Sequence, residues 1–346
     1  MDTDLTALSP AEALARARAA LDAKTKPPGS LGRLEGLAAR LALVQGTLAP
    51  EVDPARAIVF AADHGVADEG VSAYPKAVTA EMARNFAAGG AAVSVVARAN
   101  GIEVRTVDVG VDADLSGVAG LVHEKVRRGT ASLARGPAMA HEDVDAALGV
   151  GRRAVVDAAE AGCRTVCLGE MGIGNTTSAA ILTAALAGSG AEAATGAGTG
   201  VVGEALAAKR ALVARALERA APLADDPAEL LREVGGLEIV ALVGAMTEAP
   251  AHRIAVLVDG FIATAAALAA VRLKPALAES LFFAHRSAEP GHDLALAALG
   301  AEPILDLGMR LGEGSGAVLA LPILRGAAAV LRDMATFEGA GVSGAL

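Results

Sequence analysis

The sequence predicts an α/β fold: a mostly parallel sheet flanked by helices. Two observations predict it. Short, continuously apolar runs at residues 57–62, 103–109, 164–168, 255–258 and 281–284 have the length and hydrophobicity of strands covered on both faces. Helical patterns at 78–88, 91–100, 142–161 and 201–220 lie between them, and that alternation implies right-handed βαβ crossovers. A third observation concerns the strand ends, which carry glycine or polar residues: Asp63-His64-Gly65, Asp108-Val109-Gly110, Gly169-Glu170-Met171-Gly172, Asp259-Gly260 and His285-Arg286-Ser287. Ligands of such sheets bind beyond the carboxyl ends of the strands, so these residues matter more than their neighbours.

The flanking elements follow in order. Ser9 as N-cap and Pro10 in the first turn open a helix running to about Ala23. Residues 24–30, with Pro27, Pro28 and Gly29, cannot continue it and read as an ordered loop. A second amphipathic helix covers 31–43, Asp225-Asp226 before Pro227 reads as a helix start, and the last helix covers about 316–335. The expected division is a large α/β catalytic domain, 50–315, and a small helical domain built from 1–49 plus 316–346.

Composition narrows the function. The chain has 346 residues and a formal net charge of -10, a surface that repels nucleic acid and anionic lipid. A phosphorylated ligand would need local donors such as backbone amides and one or two basic side chains. Aromatic residues are scarce, with no Trp, one Tyr and 6 Phe, which draws notice to Tyr74 in its glycine- and acid-rich loop. Cys163 and Cys167 fall in or beside a buried strand and read as reduced structural thiols. The start Met1-Asp2-Thr3-Asp4 has the wrong charge for a secretory signal. The apolar stretch 254–271 is broken by Asp259. A soluble, cytoplasmic protein without membrane partners is expected.

Three stretches could carry chemistry. Gly169-Glu170-Met171-Gly172-Ile173-Gly174-Asn175-Thr176-Thr177 follows a strand and opens a helix. Its glycines let a ligand approach the backbone, and the helix amides aim at an anion. An ordinary turn capped by Asn175 or Thr176 would not require three glycines. The second, Thr195-Gly196-Ala197-Gly198-Thr199-Gly200-Val201-Val202-Gly203, contains a formal GxGxxG. Dinucleotide binding requires a preceding strand, whereas residues 188–194 are rich in glycine and alanine. A phosphate loop at a helix N-terminus, with Lys209 further along, is the better reading. The third, Arg310-Leu311-Gly312-Glu313-Gly314-Ser315-Gly316, sets a carboxylate between two glycines before a long apolar helix. It could simply face the helix dipole. It could equally meet a flat substrate, and an apolar wall would raise its pKa toward neutrality. His285 and His292, with Glu289 between, match no familiar metal spacing.

These stretches, together with Thr25-Lys26-Pro27-Pro28-Gly29-Ser30-Leu31-Gly32-Arg33-Leu34-Glu35 and Ala62-Asp63-His64-Gly65-Val66, resemble the nicotinate-nucleotide–dimethylbenzimidazole phosphoribosyltransferases, in order and over nearly the whole chain. The resemblance implies a homodimer with a Rossmann-like sheet and a small helical domain from both chain ends. It implies transfer of phosphoribose from nicotinate mononucleotide to a benzimidazole-type base, giving α-ribazole 5′-phosphate for the lower ligand of cobalamin, with no metal or organic cofactor. By motif, Glu313 would be the catalytic base and Leu311 would line the base pocket. Gly172, Gly174, Asn175, Thr176, Thr177, Gly198, Thr199, Gly200 and Lys209 would hold the phosphoribosyl group, with Glu170 a supporting acid near the ribose and Ser287 a further site residue. Tyr74 and Met82 stand where some members carry Ser and Gln; both suit a flat heteroaromatic ring and leave the preferred base open. Rival readings weigh less. A dehydrogenase lacks the strand before GxGxxG, and a pyrophosphate-donor transferase needs magnesium and an acidic pair that the sequence lacks. A non-catalytic binder has no need of Glu313.

Overall fold

The computed structural model describes residues 3–343. Met1, Asp2 and 344–346, to which the signal and helical-domain expectations extend, lie outside the described residues. Six strands form one all-parallel sheet: β1 (Ala55–Ala62), β2 (Glu103–Gly110), β3 (Leu121–His123), β4 (Thr165–Met171), β5 (Ala255–Val258) and β6 (Leu281–Phe283). Their spatial order is β3-β2-β1-β4-β5-β6. The chain runs outward from β1 in one direction, then returns to add β4 on its other side. This leaves a switch point between β1 and β4, where a doubly wound sheet opens a crevice for ligand.

Each difference from expectation has a local cause. β4 continues three residues past Leu168, so Gly169, Glu170 and Met171 belong to the strand and not to a loop. Gly169 pairs with Val59 of β1, and a Cβ there would lie 2.2 Å from the Gly314 nitrogen. Only glycine lets the strand run beneath that backbone. β3 is three residues long with only Leu121 buried, too short for any periodic signal. The helix expected from 201 begins at Gly203, because Gly200 and Gly203 have φ of 118° and 58°. Cys163 falls just before β4 and Cys167 within it; both are free and buried.

The main core fills one face of the sheet. There the helices Leu237–Glu248 and Phe261–Leu273 are buried almost all round, so they lack the one-sided period by which an amphipathic helix is recognised. Ser9 closes a capping box with Glu12 on the helix Pro10–Asp22, and Asp226 caps Pro227–Val234. The helices Pro10–Asp22 and Arg33–Gln45 share a separate apolar cluster (Leu5, Ala17, Leu21, Ala38 and Ala42) with Ala327 and Leu331 from the far half of Ser315–Asp333. The near half of that last helix, through Ala317, Val318 and Leu321, packs on the sheet. Ser315–Asp333 alone is long and apolar enough to cross a membrane among the described residues, and 56% of its most apolar window is buried inside the fold. The Lys24–Ser30 loop is fixed by Lys26 to Glu35 at 2.8 Å, and Arg33 reaches the carbonyls of Glu302 and Pro303.

Candidate active site

The carboxyl ends of β1, β4, β5 and β6 bring Asp63-His64, Glu170, Asp259 and His285 to one edge, and the turn before Ser315–Asp333 adds Glu313. Asp63, His64, Glu170, Asp259, His285 and Glu313 are all buried. Glu170, Glu238, Asp259 and Glu313 repel one another electrostatically in part. Burial, then Glu238, Asp259 and Glu313, push Glu170 up to about 8, against a hydrogen bond from Asn175 that lowers it. Burial and then Asp259 push Glu313 up to about 7. Glu313 adopts φ 65°, a left-handed conformation that non-glycine residues seldom hold and that clusters at functional sites.

The Gly172–Thr177 loop is not an ordinary capped turn. Gly174, with φ 98°, is the N-cap of Asn175–Ala187 and no side chain caps it. The Asn175 amide turns back to Glu170. Thr176 Oγ1 accepts from Lys209 Nζ at 2.8 Å. Thr177 is buried and its hydroxyl has no partner among the described residues. Gly198 comes to the same place: a Cβ on it would lie 2.7 Å from Thr176 Oγ1 and 2.9 Å from Lys209 Nζ. Burial lowers Lys209 to about 8, opposed by Glu289. Lys209 therefore carries much of its charge at neutral pH and gains more from an anionic ligand. The segment before this loop is a short helix, Ala191–Ala194, so the strand that a dinucleotide site requires is absent there.

The loop tips complete the rim. Thr199 Oγ1 bonds Ser72 at 2.9 Å and accepts from the Ala73 amide, tying the Tyr74 loop to the Gly198–Gly200 turn. Gly200 is exposed beside it. Tyr74 is 55% exposed and Leu311 56%, so two apolar side chains stand open around this edge. Met82 is half-buried against the cluster containing Val93 and Ala317. Gly312 lies over Glu170: a Cβ there would be 2.7 Å from Oε1. Ser287 is buried at the β6 exit, its amide donating to His292 Nδ1 at 2.7 Å. The remaining His292 nitrogen faces Thr264 at 3.0 Å, and His285 faces Asp259 at 3.7 Å, so the two histidines turn to different partners.

Sequence reasoning missed three groups. His64 Nε2 and Glu238 Oε1 lie 2.6 Å apart, both fully buried behind Gly172. Glu289 accepts from the Gly198 amide at 2.9 Å and faces Lys209. Asp259 accepts amides at the start of Ser315–Asp333. Only the polar strand ends, at His64 and Asp259, hinted at any of these. A separate open pocket of about 220 Å³, lined by Arg56, Ile58, Arg105, Val122, Arg153 and Asp157, lies toward the starts of β1 and β2. Its arginines are paired with Glu103, Glu124 and Asp157.

The raised Glu170 carboxyl makes a stability prediction. A proton held more tightly folded than unfolded stabilises the fold below the unfolded pKa, and that contribution is lost as pH rises through the folded value, here from 4.5 to about 8. Glu170→Gln should therefore gain in Tm relative to the parent as pH rises from ~5 to ~9. Thermal melts across that range check it; a constant difference would mean that Glu170 ionises as freely folded as unfolded.

Comparison with known proteins identifies the family and the fold. Residues 8–342 match a family model described as phosphoribosyltransferase. The chain is 48% identical over 333 residues to the nicotinate-nucleotide–dimethylbenzimidazole phosphoribosyltransferase of Geobacter sulfurreducens, covering 96% of this chain and 95% of that protein. It is 51% identical over 332 residues to the protein of the same name from Thermus thermophilus, covering 96% and 98%. The crystal structure of CobT from Thermus thermophilus superposes with a TM-score of 0.93 at 50% identity, covering 96% of this chain and all of that one. The chain belongs to the nicotinate-nucleotide–dimethylbenzimidazole phosphoribosyltransferase family.

Proposed function

We propose that the chain transfers 5-phosphoribose from nicotinate mononucleotide to 5,6-dimethylbenzimidazole or a related base, inverting C1′ and using Glu313 as general base. The observation that carries this is Glu313: a buried carboxylate between two glycines, held at positive φ with its proton affinity near neutrality. The donor's pyridinium activates its own glycosidic bond, so the departing nicotinate needs no metal. As one ring nitrogen of the base attacks C1′, the other must lose its proton. A carboxylate with pKa near the working pH suits that transfer. Attack opposite the leaving ring turns a β donor into an α product, which makes orientation the main contribution.

The electrostatics favour the same chemistry. Positive charge on the pyridinium passes through C1′ during transfer, and the carboxyl groups of Glu170, Asp259 and Glu313 gather at this edge of the sheet, where a cationic donor would favour their ionised forms. In this reading Thr176, Thr177, Gly198 and Lys209 receive the phosphate, aided by Gly172, Gly174, Asn175, Thr199, Gly200 and Ser287, while Tyr74, Met82 and Leu311 receive the base. Residues 50–315 carry the reaction. The N-terminal helices and the far half of Ser315–Asp333 form a helical unit, supported by the separate apolar cluster around Leu21 and Ala38. The family resemblance adds a cytoplasmic homodimer without a cofactor.

Chromatography of purified protein with nicotinate mononucleotide, with and without 5,6-dimethylbenzimidazole and without added metal, tests the proposal. Base-dependent release of nicotinate is expected; no release across a panel of benzimidazoles, purines and phenols would leave the activity unsupported.

A further inference from the structure

The turn that carries Glu313 opens Ser315–Asp333, and the first amides of a helix have no partner within it. Here each finds one outside the helical ladder. Gly314 N donates to Asp259 Oδ2 at 3.0 Å and Ala317 N to Oδ1 at 2.9 Å. The Gly316 amide also faces Asp259, and the Ser315 amide goes to the Gly312 carbonyl. No protein donor reaches the Glu313 carboxylate among the described residues. The anion seated on this helix end is therefore Asp259, although Glu313 is two residues from the first turn.

That arrangement has a physical consequence. A free helix N-terminus attracts a carboxylate and favours its charged form. Had Glu313 capped this helix, it would be a weaker base tied to backbone amides. We propose that Asp259 is a positioning residue for Glu313: by occupying the amides of Gly314, Gly316 and Ala317, it holds the turn in its left-handed conformation and leaves the Glu313 carboxylate free for the substrate. The inference rests on the reading of Glu313 as the base.

Asp259 is itself held in place. It ends β5, is 1% exposed, and lies 3.7 Å from His285 Nε2. His285 Nδ1 faces the Arg286 carbonyl at 3.1 Å, and the ring stands close enough to Asp259 to favour its charged form. The ring is wedged against Gly316 and Gly260, where a Cβ would meet it at 2.0 and 2.9 Å. The other ionisable groups facing Asp259 are Cys167 and Glu170 of β4, and Glu313 itself. Burial raises the Asp259 carboxyl, His285 and the Ala317, Gly314 and Gly316 amides oppose that rise, and the charge Asp259 keeps strengthens Glu313 as a base.

The test is the pH dependence of kcat/KM for nicotinate release in the parent, Asp259→Asn and Glu313→Gln. Asparagine keeps one acceptor for the turn but removes the charge. Its acid limb, where the base becomes protonated, should move down by about one pH unit. kcat at high pH should fall roughly 10-fold or more through misplacement of the base, with KM for nicotinate mononucleotide within about threefold of the parent. A loss of stability alone would lower the active fraction but not move the limb. An unmoved limb overturns the proposal. Should Asp259→Asn fail to fold, His285→Gln reports on the same couple: without its partner Asp259 is more readily neutralised, and the limb should shift the same way. If Glu313→Gln keeps parental turnover, the base assignment falls whatever Asp259 does. If it is inactive and the Asp259→Asn limb stays in place, only the positioning role falls.

Discussion

Glu313→Ala should lower turnover by about 10²–10⁴-fold, the usual contribution of general-base catalysis, while the protein folds and binds nicotinate mononucleotide. The two effects separate because Glu313 is not a structural anchor. Its carboxylate receives no protein hydrogen bond among the described residues, and burial already disfavours its charge, raising it to about 7. Alanine meets the same φ of 65°, so the backbone cost is unchanged. Above neutral pH, removing the buried charge should leave Tm level or higher, because stability tied to a raised carboxyl pKa is lost as pH rises through it. Steady-state turnover and thermal melts of parent and variant decide the matter; turnover within about threefold of the parent would remove Glu313 from the mechanism.

His64→Ala should produce the largest loss of stability, about 3–5 kcal/mol, because it opens a ring-sized cavity and leaves a buried hydrogen-bond partner unsatisfied. His64 and Glu238 are each fully buried and 2.6 Å apart, and the other Glu238 oxygen already lacks a partner among the described residues. Alanine would strand that carboxylate and open space beside Gly172 and Gly236, both of which approach the imidazole too closely to carry a Cβ without adjustment. The pair therefore holds the backbone from which the Gly172–Thr177 loop departs. Denaturant unfolding measures the loss; a cost below about 1 kcal/mol would show that the site collapses around the missing ring and that the pair is not needed to shape the loop.

Much of this arrangement could be read along the chain. Strands β1, β5 and β6 announce themselves because both faces are covered, so an apolar run is itself the signal. β4 was legible only to Leu168: Gly169 and Glu170 look like loop until the backbone of Gly314, more than a hundred residues away, is seen resting on the glycine. The glycines around Glu313 and in the 172–174 and 198–200 turns were conspicuous for the same reason that they matter, since φ values of 83° to 98° at Gly312, Gly314 and Gly174 exclude most other residues. What could not be read was pairing across the fold. His64 and Glu238 are separated by 174 positions, Glu289 and Gly198 by 91, and Asp259 and Gly314 by 55. No local pattern records such contacts, which depend on sheet order and on where the last helix returns.

The most direct measurement on the central claim is the identity and anomeric configuration of the product formed by the purified chain from β-nicotinate mononucleotide and 5,6-dimethylbenzimidazole, read by mass and by the NMR coupling of the C1′ proton. In-line transfer with Glu313 as base predicts α-ribazole 5′-phosphate and equimolar nicotinate. A β-riboside would contradict single displacement and point to a covalent intermediate, and the absence of any riboside would contradict the transfer itself.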